Sequence, residues 1–128
     1  MLKKSCNSQQ ILIIDDDEAY CSLLKNSIEI ELDLKTDCFA SLSHLGSVGS
    51  LSRYSLFILD YFLDKMTGVE IAEYLDALLP GKPSLIISAS NQLHRMHKKL
   101  PKSVRAVIPK SAGISSIMEA IRSLEVTS

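Results

Sequence analysis

Four apolar runs in this chain each end on side chains capable of chemistry. Ile11–Ile14 is followed by Asp15, Asp16, Asp17 and Glu18, and Ser55–Leu59 by Asp60. Ser84–Ile87 leads into Ser88, Ala89 and Ser90, and Val104–Ile108 into Pro109, Lys110 and Ser111. If these ends share an edge, carboxylates from two runs converge. Two unit charges about 4 Å apart repel by about 4 kcal/mol at an effective dielectric near 20, so such a cluster needs a cation. The donors are all oxygens, with no His or Cys among them, which points to a hard ion such as Mg2+. A hydroxyl at Ser88 and an ammonium at Lys110 complete a set suited to phosphoryl transfer: an oxygen nucleophile, and positive groups for the phosphoryl oxygens.

Taken singly, each residue has an ordinary explanation. Asp15–Glu18 suit a helix start, where the dipole favours acids. Asp60 suits a turn after a strand. Ser88 suits a strand end or a cap, with Ser90 the better cap, and Lys110 suits a solvated surface. Helix-start acidity accounts for Asp17 and Glu18 in any case. The single explanations leave unexplained why chemistry-bearing residues coincide at four strand ends.

The elements that must position these residues follow from periodicity. None of the four runs alternates cleanly, so each reads as a strand apolar on both faces, as a parallel sheet covered by helices on both sides requires. A fifth candidate, Leu32–Cys38, alternates Leu32, Leu34, Thr36 and Cys38, which suits a place near the sheet edge. Helical periods lie between the runs. Tyr20, Leu23, Leu24 and Ile28 share one face, and Ile71, Leu75, Leu78 and Leu79 another, stopped by Pro80-Gly81-Lys82-Pro83. Ile114, Ile117, Met118, Ile121 and Leu124 form the clearest stripe. Leu42–Leu51 is serine-rich with Gly46 and Gly49 and predicts a short helix. Asn91–Lys99 predicts a helix with Leu93, Met96 and Leu100 inward. Strand and helix in alternation argue for an α/β domain with a parallel sheet and right-handed crossovers. In such sheets ligands bind beyond the carboxyl ends of the strands.

Composition narrows the classes further. The 128 residues make one domain, read as a loose arm over residues 1–8 and a domain over 9–126. At 46% hydrophobic and a net charge of −1, the chain can bury a core and has no global basic field for nucleic acid. No apolar run has bilayer-spanning length, and Asp15–Glu18 interrupt any signal-peptide pattern. Cys6, Cys21 and Cys38 form no CxxC pair and read as reduced cytoplasmic thiols, Cys21 and Cys38 partly buried. His94 and His97, with Arg95, Lys98, Lys99 and Lys102, read as a solvated helix face, the sharper alternative being a partner surface.

With these residues in view, the sequence resembles the receiver domain of two-component response regulators over roughly Gln10 to Leu124. The matching pieces are ILIIDDDE, LFILDYFLDKMTG, LIISAS and AVIPKSA, in the family's order and spacing. The resemblance implies a flavodoxin-like (βα)5 three-layer sandwich with a parallel sheet in strand order 2-1-3-4-5. It implies that Asp60 accepts a phosphoryl group from a histidine kinase or phosphotransfer protein. Mg2+ would be held by Asp15, Asp16, Asp60 and the backbone carbonyl of Phe62. Ser88 and Lys110 would contact the phosphoryl group, and Gly68 would let the loop turn into the next helix. Phe62 and Ser90 would flank the path of attacking water and set how long the phosphate lasts.

The same resemblance implies a cytoplasmic switch that turns over no external substrate. Its partner would be a phosphorylation-dependent output protein or an output domain outside this chain, with homodimerisation on phosphorylation possible. Neither a membrane nor a nucleic acid would be contacted by the domain itself. Whether the chain is a whole regulator or the receiver of a longer one is left open. Departures from the family pattern are Val107 in the usual aromatic place, Asp64 in the usual proline place, and Ser111 rather than proline after Lys110. The Pro109-Lys110-Ser111 run is similar to receivers of regulators with a LuxR-type helix-turn-helix. The rival readings are a phosphorylation-independent interaction module, an Asp-nucleophile phosphohydrolase and a flavin-binding flavodoxin. The second normally has another aspartate where Phe62 stands. The third needs a phosphate-cradling loop where four acids stand.

Overall fold

The structure is a computed structural model that describes residues 10–41, 43, 48–63, 66–89 and 100–124. The N-terminal arm, Asp64, Ser90, and the helix expected over Asn91–Lys99 with its histidines lie outside the described residues.

Parallel strands β1 (Gln10–Ile14), β2 (Lys35–Phe39), β3 (Leu56–Asp60), β4 (Ser84–Ser88) and β5 (Val104–Pro109) form a five-stranded sheet in the order β2-β1-β3-β4-β5. The described helices are α1 (Glu18–Leu32), α2 (Val48–Leu51), α3 (Gly68–Leu78) and α4 (Ile114–Ser123), with a 3-10 turn at Lys110–Ala112. The expected α/β class and strand order are therefore present.

The lack of alternation in the strands has the expected cause. Ile11 and Ile13 of β1 belong to a core with α1 and α4, while Leu12 and Ile14 belong to a second core with Leu51 of α2 and with α3. Both faces are fully covered over Ile11–Ile14 of β1 and Leu56–Leu59 of β3, so every residue in those runs is apolar. Burying each such Leu or Ile contributes about 1.5–3 kcal/mol relative to exposure. β2 lies at the edge, as its weaker pattern suggested, and exposes Lys35.

The helix faces differ in detail from the periodic reading. Leu23 is 55% exposed, and Cys21 takes its place beside Leu24 and Ile28. Leu23 sits about 100° around the helix from Leu24, far enough to leave the buried stripe. Leu78 is also exposed, at the end of α3. Leu32 closes α1 rather than opening β2, because Asp33 takes a left-handed conformation at φ 56° and ends the helix there. Edge strand β2 is tied to its neighbours by side chains: Glu29 accepts from the Thr36 N–H at 3.0 Å, and the Tyr54 hydroxyl donates to Asp37 at 2.7 Å. No described helix is long and apolar enough to cross a membrane.

Candidate functional site

The parallel sheet brings the four chemistry-bearing strand ends to one edge. Asp15 directly follows β1, and its N–H bonds the Phe39 carbonyl at 3.0 Å, extending the ladder one step past the strand. Asp60 is the last residue of β3, and the next N–H, of Tyr61, bonds the Ile87 carbonyl at 2.7 Å. Backbone pairing thus holds both acids in register. Ser88 ends β4 opposite Pro109, and Lys110 starts the 3-10 turn after β5.

One carboxylate oxygen from each of Asp15, Asp16 and Asp60 lies within 4.8 Å of the others. Asp15 and Asp60 are buried and Asp16 is exposed. The Lys110 ammonium stands 3.0 Å from Asp15 Oδ2 and 3.5 Å from Asp60 Oδ1. Asp15 Oδ1 accepts from the Asp17 N–H at 2.9 Å, and Asp17 in turn caps α1 by accepting from the Tyr20 N–H at 3.1 Å. The acidic run is thus divided: Asp15 and Asp16 serve the site, and Asp17 serves the helix.

Three carboxylates against one ammonium leave an excess of negative charge in a partly dry place. Burial, reinforced by the Asp15 charge and only partly offset by Lys110, pushes the Asp60 carboxyl up to about 6. Burial also raises Asp15, against the Asp17 N–H and Lys110, which favour its ionised form. For Lys110, burial works against the charge, but the hydrogen bond and fields of Asp15 and Asp60 outweigh it and raise its pKa. A hard divalent cation fits this cluster: its donors are all oxygens, and it would offset the surplus charge.

Ser88 is fully buried, and its Oγ has no hydrogen-bond partner among the described residues. Ser84 and Ser103, at the start of β4 and just before β5, also have buried hydroxyls without a partner, so what marks Ser88 is its place at the carboxyl end of β4. Phe62 is half exposed beyond Asp60, its ring tilted against Tyr61 at 5.7 Å between centroids. Among the described residues no peptide bond is cis, so the Lys110–Ser111 bond is trans.

Gly68 has a different reason for being glycine than the expected turn. It starts α3 without a positive φ, and its N–H bonds the Tyr61 carbonyl at 2.7 Å. A Cβ here would stand 2.6 Å from the backbone oxygen of Asp60 itself. The constraint is close approach to the candidate acceptor's own peptide. Next to it, Thr67 and Glu70 form a reciprocal capping box that fixes where α3 begins. That pattern, Thr-x-x-Glu, was readable in the sequence.

Sequence reasoning placed Tyr20 in a helix core face and missed its second contact. Its ring lies under the Lys110 ammonium, 4.5 Å from the centroid. Burial, opposed by Lys110 and reinforced by Asp15, Asp60 and Asp17, pushes its phenol up to about 12, so it stays protonated. The only local signal was its position one turn into α1 behind the acids.

A doubly wound parallel sheet with acids and a lysine gathered at its carboxyl edge defines a class, the flavodoxin-like α/β domains with an acidic edge. Within that class the chain belongs to the response regulator receiver domain family, whose model matches residues 11–122. No curated protein matches it in sequence. Among solved structures it is similar to a CheY-like response regulator receiver domain protein of Methanospirillum hungatei JF-1. They share 22% identity at TM-score 0.70 over 90% of this chain and 91% of that one. It is also similar to response regulator TrrA of Thermotoga maritima, solved in complex with Mg2+-BeF, with 20% identity, TM-score 0.75, and coverage of 91% and 98%. An adenylate cyclase from Rhodopirellula baltica is as close in shape, with 19% identity, TM-score 0.77, and coverage of 91% and 86%. At these identities shape establishes the fold, and function must come from the site.

Proposed function

We propose that this receiver domain takes up a phosphoryl group on Asp60, with Mg2+ at the acidic cluster, and works as a switch in the cytoplasm. One observation carries the reading. Asp60 sits buried at the end of β3, 3.5 Å from the Lys110 ammonium, with oxygens of Asp15 and Asp16 within 4.8 Å. An Asp60 oxygen forms the new O–P bond as the P–N bond of a phosphohistidine breaks, and the imidazole leaves with a proton from solvent. The donor is a histidine kinase or phosphotransfer protein. Mg2+, held by Asp15, Asp16, Asp60 and the Phe62 carbonyl, would supply positive charge to the phosphoryl oxygens. Lys110 pairs with one of those oxygens, and the idle Ser88 hydroxyl donates to another.

The phosphate adds about two negative charges at an edge where Lys110 can exchange partners and the Ser88 hydroxyl can gain one. Moving a two-state equilibrium from about 1:99 to 99:1 needs about 5.5 kcal/mol of differential stabilisation. The partner that reads the new state is an output protein or an output domain outside this chain, and the domain turns over no external substrate.

Incubation with phosphoramidate and Mg2+ is expected to add one phosphoryl group by intact mass. The gain should be absent in Asp60→Ala and in the presence of EDTA. No gain in the unsubstituted protein would instead favour a phosphorylation-independent interaction module. Phe62, apolar and at the outer side of the site, is expected to slow hydrolysis by keeping water off the phosphoaspartate. Phe62→Asn should therefore shorten the phosphoryl half-life several-fold, and an unchanged half-life would remove that role.

A further inference from the structure

Lys110 is held from three sides, and two of them are the acids. The third is the face of Tyr20, 4.5 Å from ammonium to ring centroid. An ammonium on a flexible four-carbon stem has many poses near two carboxylates. An aromatic face restricts them, because the ring quadrupole attracts the cation only above its plane.

The backbone that carries the ring is itself tied to the acidic loop. Asp15 accepts from the Asp17 N–H at 2.9 Å, and Asp17 accepts from the Tyr20 N–H at 3.1 Å. Lys110 then returns to Asp15 at 3.0 Å, closing a loop of contacts from acid to cap to ring to ammonium. Tyr20 also packs on the core cluster that contains residues of α1 and α4. Its hydroxyl is buried with no hydrogen-bond partner among the described residues. Core filling alone explains a large apolar residue at this place, but a phenol there leaves a polar atom unsatisfied. What the aromatic ring supplies and a leucine does not is a face for the cation.

We propose that Tyr20 is a positioning residue for Lys110, its ring fixing the ammonium where it meets the phosphoryl oxygen on Asp60. This rests on the reading of Asp60 and Lys110 given above. The role needs the ring and not the hydroxyl, so phenylalanine should replace it and leucine should not.

The test uses the whole chain labelled with 13C-lysine and the variants Tyr20→Phe and Tyr20→Leu. The Lys110 Cε–Hε signal is identified by its loss in Lys110→Arg. Ring current is expected to move it upfield of the other lysines in the unsubstituted protein and in Tyr20→Phe, and to vanish in Tyr20→Leu. Phosphoryl uptake from phosphoramidate, followed by intact mass, should be roughly tenfold slower in Tyr20→Leu and restored in Tyr20→Phe. Tyr20→Met, unbranched and without a ring, replaces the leucine variant if that one does not fold. A Lys110 signal among the solvated lysines in the unsubstituted protein overturns the proposal. So does an unslowed uptake in a folded Tyr20→Leu. If the unsubstituted protein takes up no phosphoryl group, the receiver reading fails as well, and that outcome is seen before any variant is compared.

Discussion

Asp60→Asn is expected to make the metal-free protein more stable at about pH 7.5, by roughly 3 kcal/mol. Burial and the neighbouring Asp15 raise the Asp60 carboxyl from its ordinary 3.8 to about 6 in the folded chain. A raised acid binds its proton more tightly when folded than when unfolded. Its contribution is therefore fully present below about pH 4 and is lost as the pH rises through about 6, at about 1.4 kcal/mol per pH unit. Asparagine has the shape of the protonated acid and does not ionise. The two proteins should match in stability near pH 3.5 and diverge up to about pH 6–7.

Urea midpoints in EDTA across that range measure the difference. Some slope should survive in the variant, because Asp15 is raised in the same direction and by burial as well. Adding Mg2+ should close the gap from the other side, since an ion that binds only the folded acids stabilises by mass action. Parallel pH curves for the two proteins would mean that Asp60 is not under electrostatic pressure. A stable acidic cluster without metal would then need another explanation.

Gly68→Ala is expected to cost about 2–3 kcal/mol, the upper part of the range for forcing a methyl into filled space. The added Cβ meets the Asp60 carbonyl oxygen at 2.6 Å, the Asp60 carbonyl carbon at 3.1 Å and Tyr61 Cα at 3.3 Å. All three are backbone atoms, so no side-chain rotation relieves the contact. Either the start of α3 or the Asp60–Tyr61 peptide must move. The second choice turns the candidate acceptor itself, so phosphoryl uptake should also slow in the fraction that folds. Gly113→Ala is the informative comparison. Gly113 has φ 92° and ψ 160° with open space around it, so its cost is limited to that glycine-favouring backbone conformation, about 1–3 kcal/mol. Chemical denaturation of both variants, with uptake measured on each, separates the two effects. Equal losses in stability and no change in uptake at Gly68 would show that close approach to Asp60 is not what the glycine serves.

Asp15, Asp60, Ser88 and Lys110 were legible in the sequence for a definite reason. In a parallel sheet every strand runs the same way, so residues that follow strands in sequence must gather at one edge in space. Local reading of strand ends therefore predicts a long-range cluster. The same logic made the double-faced cores legible, because strands buried on both sides cannot alternate.

What the tertiary structure alone decided concerns contacts whose geometry depends on how elements pack. Tyr20 and Lys110 lie far apart in sequence, and only the seating of α1 beside the turn after β5 puts a ring under the ammonium. Cys21, and not Leu23, joins Leu24 and Ile28 because Leu23 lies about 100° around α1 from Leu24, on a face turned away from the sheet. Gly68 looked like a turn residue, and only the approach of α3 to the Asp60 carbonyl revealed a steric requirement. Which acids gather at that edge was thus set by chain direction, a property of the sequence. How the lysine among them is held was set by packing, which no single segment contains.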